Sequence, residues 1–233
     1  MASVALLPAV AVATAAGPAQ AGVNDQAVSG VASPIWQPNG VVDAVAAGNG
    51  LIYAGGNFTS VKPPTGGSGS ATARTYLAAM SGSTGNLATS FNVTLNGRIY
   101  ALDLSPDKSI LYIGGAFTTV NGTARNHIAA VNATTGALVT AFNSGANRAV
   151  RAIDSTSSTV YIGGDFTTVK NKTQAYMASV TAATGALNTA FAPTFLQRPA
   201  QTCPTNPPPG CTTTTYTPNV LAIKVSPDGS RVL

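Results

Sequence analysis

The chain has 233 residues, 45% apolar and only 8% charged, with no glutamate and a formal net charge of +5. So many apolar residues with so few charges exclude a disordered polyelectrolyte. Its twelve basic residues stand singly except for Arg148/Arg151 and Lys170/Lys172, so no basic stripe with interleaved aromatics offers a nucleic-acid surface.

Residues 1–21 read as a signal peptide. Val4 to Ala16 is apolar, and Ala19-Gln20-Ala21 is the small-x-small pattern that precedes a secretory cleavage site, although no Lys or Arg comes before the apolar run. Pro8, Gly17 and Pro18 interrupt it, and it is too short for a membrane span. Cleavage after Ala21 and a secreted or cell-surface location are the expectation. Residues 22–41 form an N-terminal segment holding Trp36, the only tryptophan. Trp36 is expected at the phenylalanine position of a strand that completes another unit, a candidate closing strand, and so as packing rather than a binding platform.

From Val42 onward the chain repeats itself. Y-x-G-G-x-F-T-x-V occurs at Tyr53–Val61, Tyr112–Val120 and Tyr161–Val169. Each copy is followed by Thr-Gly, at Gly85, Gly136 and Gly185, and six residues later by Phe91, Phe142 and Phe191. A V-x-A phrase precedes each, at Val42, Ile99 and Val150, and again at Val220. The period is close to fifty residues, and each period holds four short strand-like runs, the inventory of one β-propeller blade. The expected fold is all-β: a propeller of ~50-residue four-stranded blades, here three blades (42–91, 92–142 and 143–194) with the truncated start of a fourth at 219–233. No helix is predicted in the body of the chain.

Within a unit the paired glycines end the second strand: Gly55 and Gly56, Gly114 and Gly115, Gly163 and Gly164. Lack of Cβ there permits either unusual dihedrals or close approach of another chain segment. Phe58, Phe117 and Phe166 follow with a large apolar group. The Thr-Gly pairs predict hairpins with glycine in the left-handed position. A single blade leaves both faces wet, so only neighbouring units can bury them. Two insertions break the period: Lys62 to Ala73, and residues 195–218, which carry Cys203 and Cys211. The two cysteines enclose a short Pro-rich loop and are expected to form a disulfide, contributing about 2–3 kcal/mol through loop entropy. Two cysteines and one distant histidine are too few ligands for a structural metal site. Such loops either carry binding function or are tolerated insertions.

With these motifs in view, the chain resembles bacterial secreted propellers of kelch-like or delta-60-type repeats, which carry Y-x-G-G-x-F, a T-G hairpin and a following Phe. It departs from true kelch blades and from quinoprotein-type propellers in lacking the Trp that follows their glycines. The resemblance implies a propeller, the front part of a larger exported protein, and no settled chemistry.

Catalytic candidates are few. His127 is the only histidine, and Tyr76 and Tyr176 hold its place in the other units, which reads as a strand-face aromatic. Asp103 aligns with Asp154, but Ala46 and Lys224 stand at that position elsewhere. Asp165 takes the slot of Asn57 and Ala116, while Asp107 and Asp228 fall in Ser-Pro-Asp turns as caps. The Asn-x-Thr triplets at Asn57, Asn92, Asn121, Asn132 and Asn171 read as turn chemistry. No catalytic, cofactor or metal residue is therefore assigned. The expected function is a non-catalytic scaffold that binds a surface glycan or a protein partner. The alternative is part of a secreted glycan-active or quinone-dependent enzyme whose catalytic residues lie beyond Leu233.

Overall fold

A computed structural model describes residues 34–64, 67, 69–193, 220–226 and 231–232. The leader, the insertion at 195–218 with Cys203 and Cys211, and Asp228 lie outside the described residues. The described part is all-β, built of small antiparallel sheets.

The first unit contains β1 (Gln37–Pro38), β2 (Val41–Gly48), β3 (Leu51–Asn57), β4 (Ser60–Lys62), β5 (Thr72–Ala73) and β6 (Leu77–Ser81). The second contains β7 (Ile99–Leu104), β8 (Ile110–Gly115), β9 (Thr119–Val120), β10 (Thr123–Ala124) and β11 (Ile128–Asn132). The third contains β12 (Val150–Ser155), β13 (Thr159–Gly164), β14 (Thr168–Val169), β15 (Lys172–Thr173) and β16 (Met177–Thr181). Each unit has one three-stranded sheet with the double-glycine strand in the middle: β2-β3-β6, β7-β8-β11 and β12-β13-β16. The F-T-x-V segment leaves that sheet and makes a separate short hairpin, β4-β5, β9-β10 or β14-β15.

The expected fourth strand is reduced to a single bridge. Leu87, Leu138 and Leu187 pair with Met80, Val131 and Val180. The chain then turns, with the N–H of Phe91, Phe142 and Phe191 bonded to the carbonyl three residues earlier at 3.2 Å. That turn drives the ring inward. Phe91 meets Tyr53, Phe142 meets Tyr112 and Phe191 meets Tyr161, with centroids 5.3, 5.4 and 5.4 Å apart. These tilted and edge-on contacts, each worth about 0.5–1.5 kcal/mol beyond area burial, explain why the two repeated phrases occur together.

The paired glycines do two different jobs. A Cβ on the first would strike the next unit: Gly55 faces Ile99 and Leu102, Gly114 faces Val150 and Ile153, and Gly163 faces Val220 and Ile223. A Cβ on the second would lie 2.1–2.2 Å from the carbonyl oxygen of Val41, Arg98 or Ala149, at the entry to the unit's own first strand. The pairing shifts register beside that contact, between Val42 and Ala44, Ile99 and Ala101, and Val150 and Ala152. A β-bulge therefore falls on the middle residue of the V-x-A phrase in each of the three units.

Each joint buries the branched residues of one first strand against the glycine of the unit before. Ile99 and Val150 are fully buried and Ile153 is 8% exposed, whereas in the first unit Val42, at the place of Ile99 and Val150, is 39% exposed and Val45, at the place of Ile153, is 62% exposed. Trp36 differs from expectation. Gln37 and Pro38 pair with Lys62 and Val61 of the first unit itself, and Leu95 and Ala146 make the matching bridges to Val120 and Val169. Trp36 thus corresponds to Val93 and Ser144 rather than to a Phe. Its backbone N–H donates to the Gly85 carbonyl at 3.0 Å, and its side chain packs beside the cluster of Phe58, Val61 and Met80.

Candidate functional site: the bulge row

A bulge re-aims a side chain and often stands next to a functional site. Here the bulged residues of three successive first strands are Asp43, Tyr100 and Arg151. Asp43 takes a bidentate ion pair from Arg98, Nε at 2.7 Å and an Nη at 2.5 Å. The Arg98 guanidinium lies 5.2 Å from the Tyr100 ring centroid, and that of Arg151 lies 4.7 Å from it. Both are within cation–π range. Arg151 then pairs with Asp165 at 2.7 Å. The row Asp43–Arg98–Tyr100–Arg151–Asp165 therefore runs without a gap across three units.

The row is half-open: the side chains of Arg98 and Arg151 keep about a third of their surface in solvent. Asp43 and Asp165 hold the pKa of their arginines above the ordinary value, chiefly through the hydrogen bonds they accept. Both guanidinia retain N–H donors beside the Tyr100 ring. Such a surface suits hydroxyl and carboxylate groups of an extended ligand.

A second polar line lies three to four residues further along the first strands of the second and third units, at Asp103, Asp154 and Ser155. Ser155 donates to Asp103 at 2.6 Å, and Lys224 pairs with Asp154 at 2.8 Å. Asp154 also accepts the Val225 N–H. These bonds tie the second unit to the third and the third to the segment at 220–226. Burial, offset by the Ser155 hydrogen bond and reinforced by Asp154, raises the pKa of Asp103. Arginine and lysine partners engage Asp43, Asp165 and Asp154, and the serine hydroxyl engages Asp103.

His127 is not a flat strand residue. It has φ 68°, and Tyr76 and Tyr176 share that left-handed value at 66°. Its N–H donates to the Phe117 carbonyl at 2.9 Å, and its carbonyl accepts from Gly115 at 3.0 Å. Bulky residues rarely adopt this conformation. The double glycine over-determines it in all three units. Burial lowers the imidazole pKa, and the Gly115 contact partly opposes that. Asp107 acts as a turn cap, accepting from Ser105 at 2.6 Å and from the Ser109 hydroxyl at 2.8 Å.

One set of recurring residues escaped the sequence reading. The amide oxygens of Asn39, Asn96 and Asn147 each accept two successive backbone N–H groups, at Thr59/Ser60, Thr118/Thr119 and Thr167/Thr168. Their amide nitrogens donate to the threonine hydroxyl. An asparagine three residues before the V-x-A phrases at Val42, Ile99 and Val150 was the available signal. Among the described residues no cluster of three His, Cys, Asp or Glu could hold a metal, and no helix is long and apolar enough to cross a membrane.

No protein-family model matches the sequence, and no curated protein does. Among solved structures, the computationally designed Ika4 protein is 13% identical with a TM-score of 0.47, the match covering 85% of this chain and 94% of that one. The computationally designed Ika8 protein is 15% identical with a TM-score of 0.42. That match covers 64% of this chain but only 35% of the designed one.

Proposed function

We propose that this chain belongs to an exported β-propeller that binds a glycan along its bulge row and performs no chemistry there. The propeller reading is supported by the identical direction of each joint, in which Ile99, Val150 and Val220 each insert against the first glycine of the preceding unit. In this reading the exposed Val42 and Val45 are the same insertion surface at an uncovered end.

One observation carries the binding reading. The bulge row sets a tyrosine ring and two partly exposed guanidinia on a rigid framework, and its carboxylates are committed to those guanidinia. Preorganised donors beside an aromatic suit recognition of a sugar chain, while acid–base work needs a carboxyl group free to exchange a proton with substrate.

A glycan array probed with the chain tests this. Tyr100→Ala and Arg151→Gln should each weaken the strongest glycan signal about tenfold, the order expected for loss of one charge-assisted or stacking contact. Shortening residues 62–73 or 195–218 reports whether those loops contribute. Retention of every glycan signal in both row variants would overturn the site. Capture of a protein but no glycan would overturn the ligand class.

A further inference from the structure

The three units use the same backbone but do not fill it equally. Beside the second unit, the segment after Phe91 presents Val93, Thr94 and Leu95; beside the third, the segment after Phe142 presents Ser144, Gly145 and Ala146. The two segments are in the same register, since Leu95 bridges Val120 as Ala146 bridges Val169. Three consecutive side chains have therefore lost bulk at one place.

The residue that closes this place in the second unit is also changed. There the Asn121 amide oxygen accepts the Thr94 N–H at 2.8 Å, and its nitrogen donates to the Gly136 carbonyl at 3.1 Å. Lys170 stands at that position in the third unit and keeps only the backbone bond, its N–H to the Gly145 carbonyl at 2.9 Å. Its ammonium turns to the Asn143 carbonyl at 2.8 Å. Lysine has no acceptor to offer the Gly145 N–H, and one bond leaves two ammonium donors for other partners.

The result is a half-open cleft of about 290 Å³ between the second and third units, walled by Ser144, Gly145, Thr168, Lys170, Asn126 and Asn171 among others. Ser144, 8% exposed, has a buried hydroxyl oxygen without a hydrogen-bond partner. Such an oxygen gives up its hydration without gaining a partner, whereas the matching valine has no hydrogen bond to lose. The carboxamides of Asn126 and Asn171 are exposed and take no partner among the described residues. The wall carries an ammonium and no carboxylate.

We propose that this cleft is a binding site for one carboxylated sugar residue, a hexuronate, with Lys170 on the carboxylate and the Asn126 and Asn171 amides on the ring hydroxyls. The volume lies at the lower edge of ordinary ligand sites and fits a single monosaccharide. Amides both donate and accept, as sugar hydroxyls do. The site goes beyond the bulge row and shares no residue with it.

The test is titration of the chain with sodium glucuronate, followed by calorimetry or amide NMR shifts, beside glucose and sodium acetate as separate arms. Glucuronate should bind at least about tenfold more tightly than either, because only it offers both groups. Lys170→Asn, which installs the second unit's residue, should weaken glucuronate about tenfold, and Ala146→Leu, which restores Leu95's bulk, should abolish binding. Tyr100→Ala should leave it unchanged. Acetate binding as well as glucuronate would reduce the site to an anion contact and overturn the proposal. Binding unaffected by Lys170→Asn and Ala146→Leu, or no saturable binding at millimolar ligand, would also overturn it. In those cases a glycan-array signal still sensitive to Tyr100→Ala leaves the bulge row standing, so the two readings fail separately. Polymeric against free glucuronate, compared at equal residue concentration, identifies whether the sugar is a chain terminus or a free acid.

Discussion

Adding one methyl group to each glycine of a pair separates the joint between units from the fold within a unit. At Gly115 the new Cβ would sit 2.1 Å from the Arg98 carbonyl oxygen and 3.0 Å from the Ile99 Cα, all backbone. That oxygen also accepts the Ala116 N–H at 2.8 Å, so moving it disturbs the bulge. Gly115→Ala is expected to cost about 3 kcal/mol or more, combining overpacking with a compromised buried hydrogen bond. At Gly114 the Cβ would meet side-chain ends, Ile153 Cδ1 and Val150 Cγ1, both at 2.8 Å. The isoleucine tip can rotate but valine is stiff at χ1, so Gly114→Ala should cost about 1–3 kcal/mol. For a chain of this size 1 kcal/mol shifts the melting temperature by roughly 2–4 °C, which places Gly115→Ala roughly 6–12 °C below the parent. Val150→Ala in the Gly114→Ala background should recover about 1 kcal/mol, a coupling that a double-mutant cycle in urea reads directly. The same valine change should recover nothing in Gly115→Ala. Equal melting of both glycine variants, or equal rescue by Val150→Ala, would refute the division of labour between the two glycines.

Three further outcomes are expected. Val42 and Val45 leave an apolar strand face uncovered, so the chain should associate with rising concentration, and Val42→Asp/Val45→Asp should shift sedimentation toward monomer; association unchanged by both aspartates would count against that face. Burial raises the folded pKa of Asp103, so stability from this group is full below its unfolded value, roughly 3.9, and falls as pH rises through the window above it. Asp103→Asn should flatten the melting temperature against pH there, and an unchanged slope would show that the carboxyl is solvated. Burial lowers the folded pKa of His127, so its contribution is full above the unfolded value, roughly 6.5, and is lost as pH drops through it. His127→Tyr, matching Tyr76 and Tyr176 at the same backbone angle, should remove that acid-side loss; an identical acid limb in both proteins would contradict this.

Much of this was legible because repetition turns one chain into its own alignment. The strand content and the units follow from recurring residue types at fixed distances, whereas the contact of Tyr112 with Phe142 that binds two of the phrases together emerged only in the structure. The double glycine was legible only as a choice between odd dihedrals and close approach. It is close approach, twice over, because one glycine answers to the next unit and the other to its own first strand. The fourth strand was over-read: an apolar run ending in Phe looks extended, but Phe142 reaches Tyr112 only if the chain turns after Leu138. Trp36 was misplaced because sequence similarity was sought with Phe, while the asparagine clip of Asn39 sets the register. The bulge row was hidden in the variable x of V-x-A, where alignment sees Asp, Tyr and Arg as unrelated. Their kinship is geometric.

The joint described for the glycines has a handedness of use: one surface inserts and a different surface receives. Two copies therefore cannot satisfy their exposed valines by facing each other across a two-fold axis, since each would present branched side chains where a bare backbone is required. A contact of this kind is heterologous and propagates head to tail, so it ends only by closing a ring or continues as a filament. Association through Val42 and Val45 alone should accordingly lack a fixed stoichiometry. A designed partner that ends in a solvent-facing Gly-Gly strand should cap the chain one to one and halt that growth.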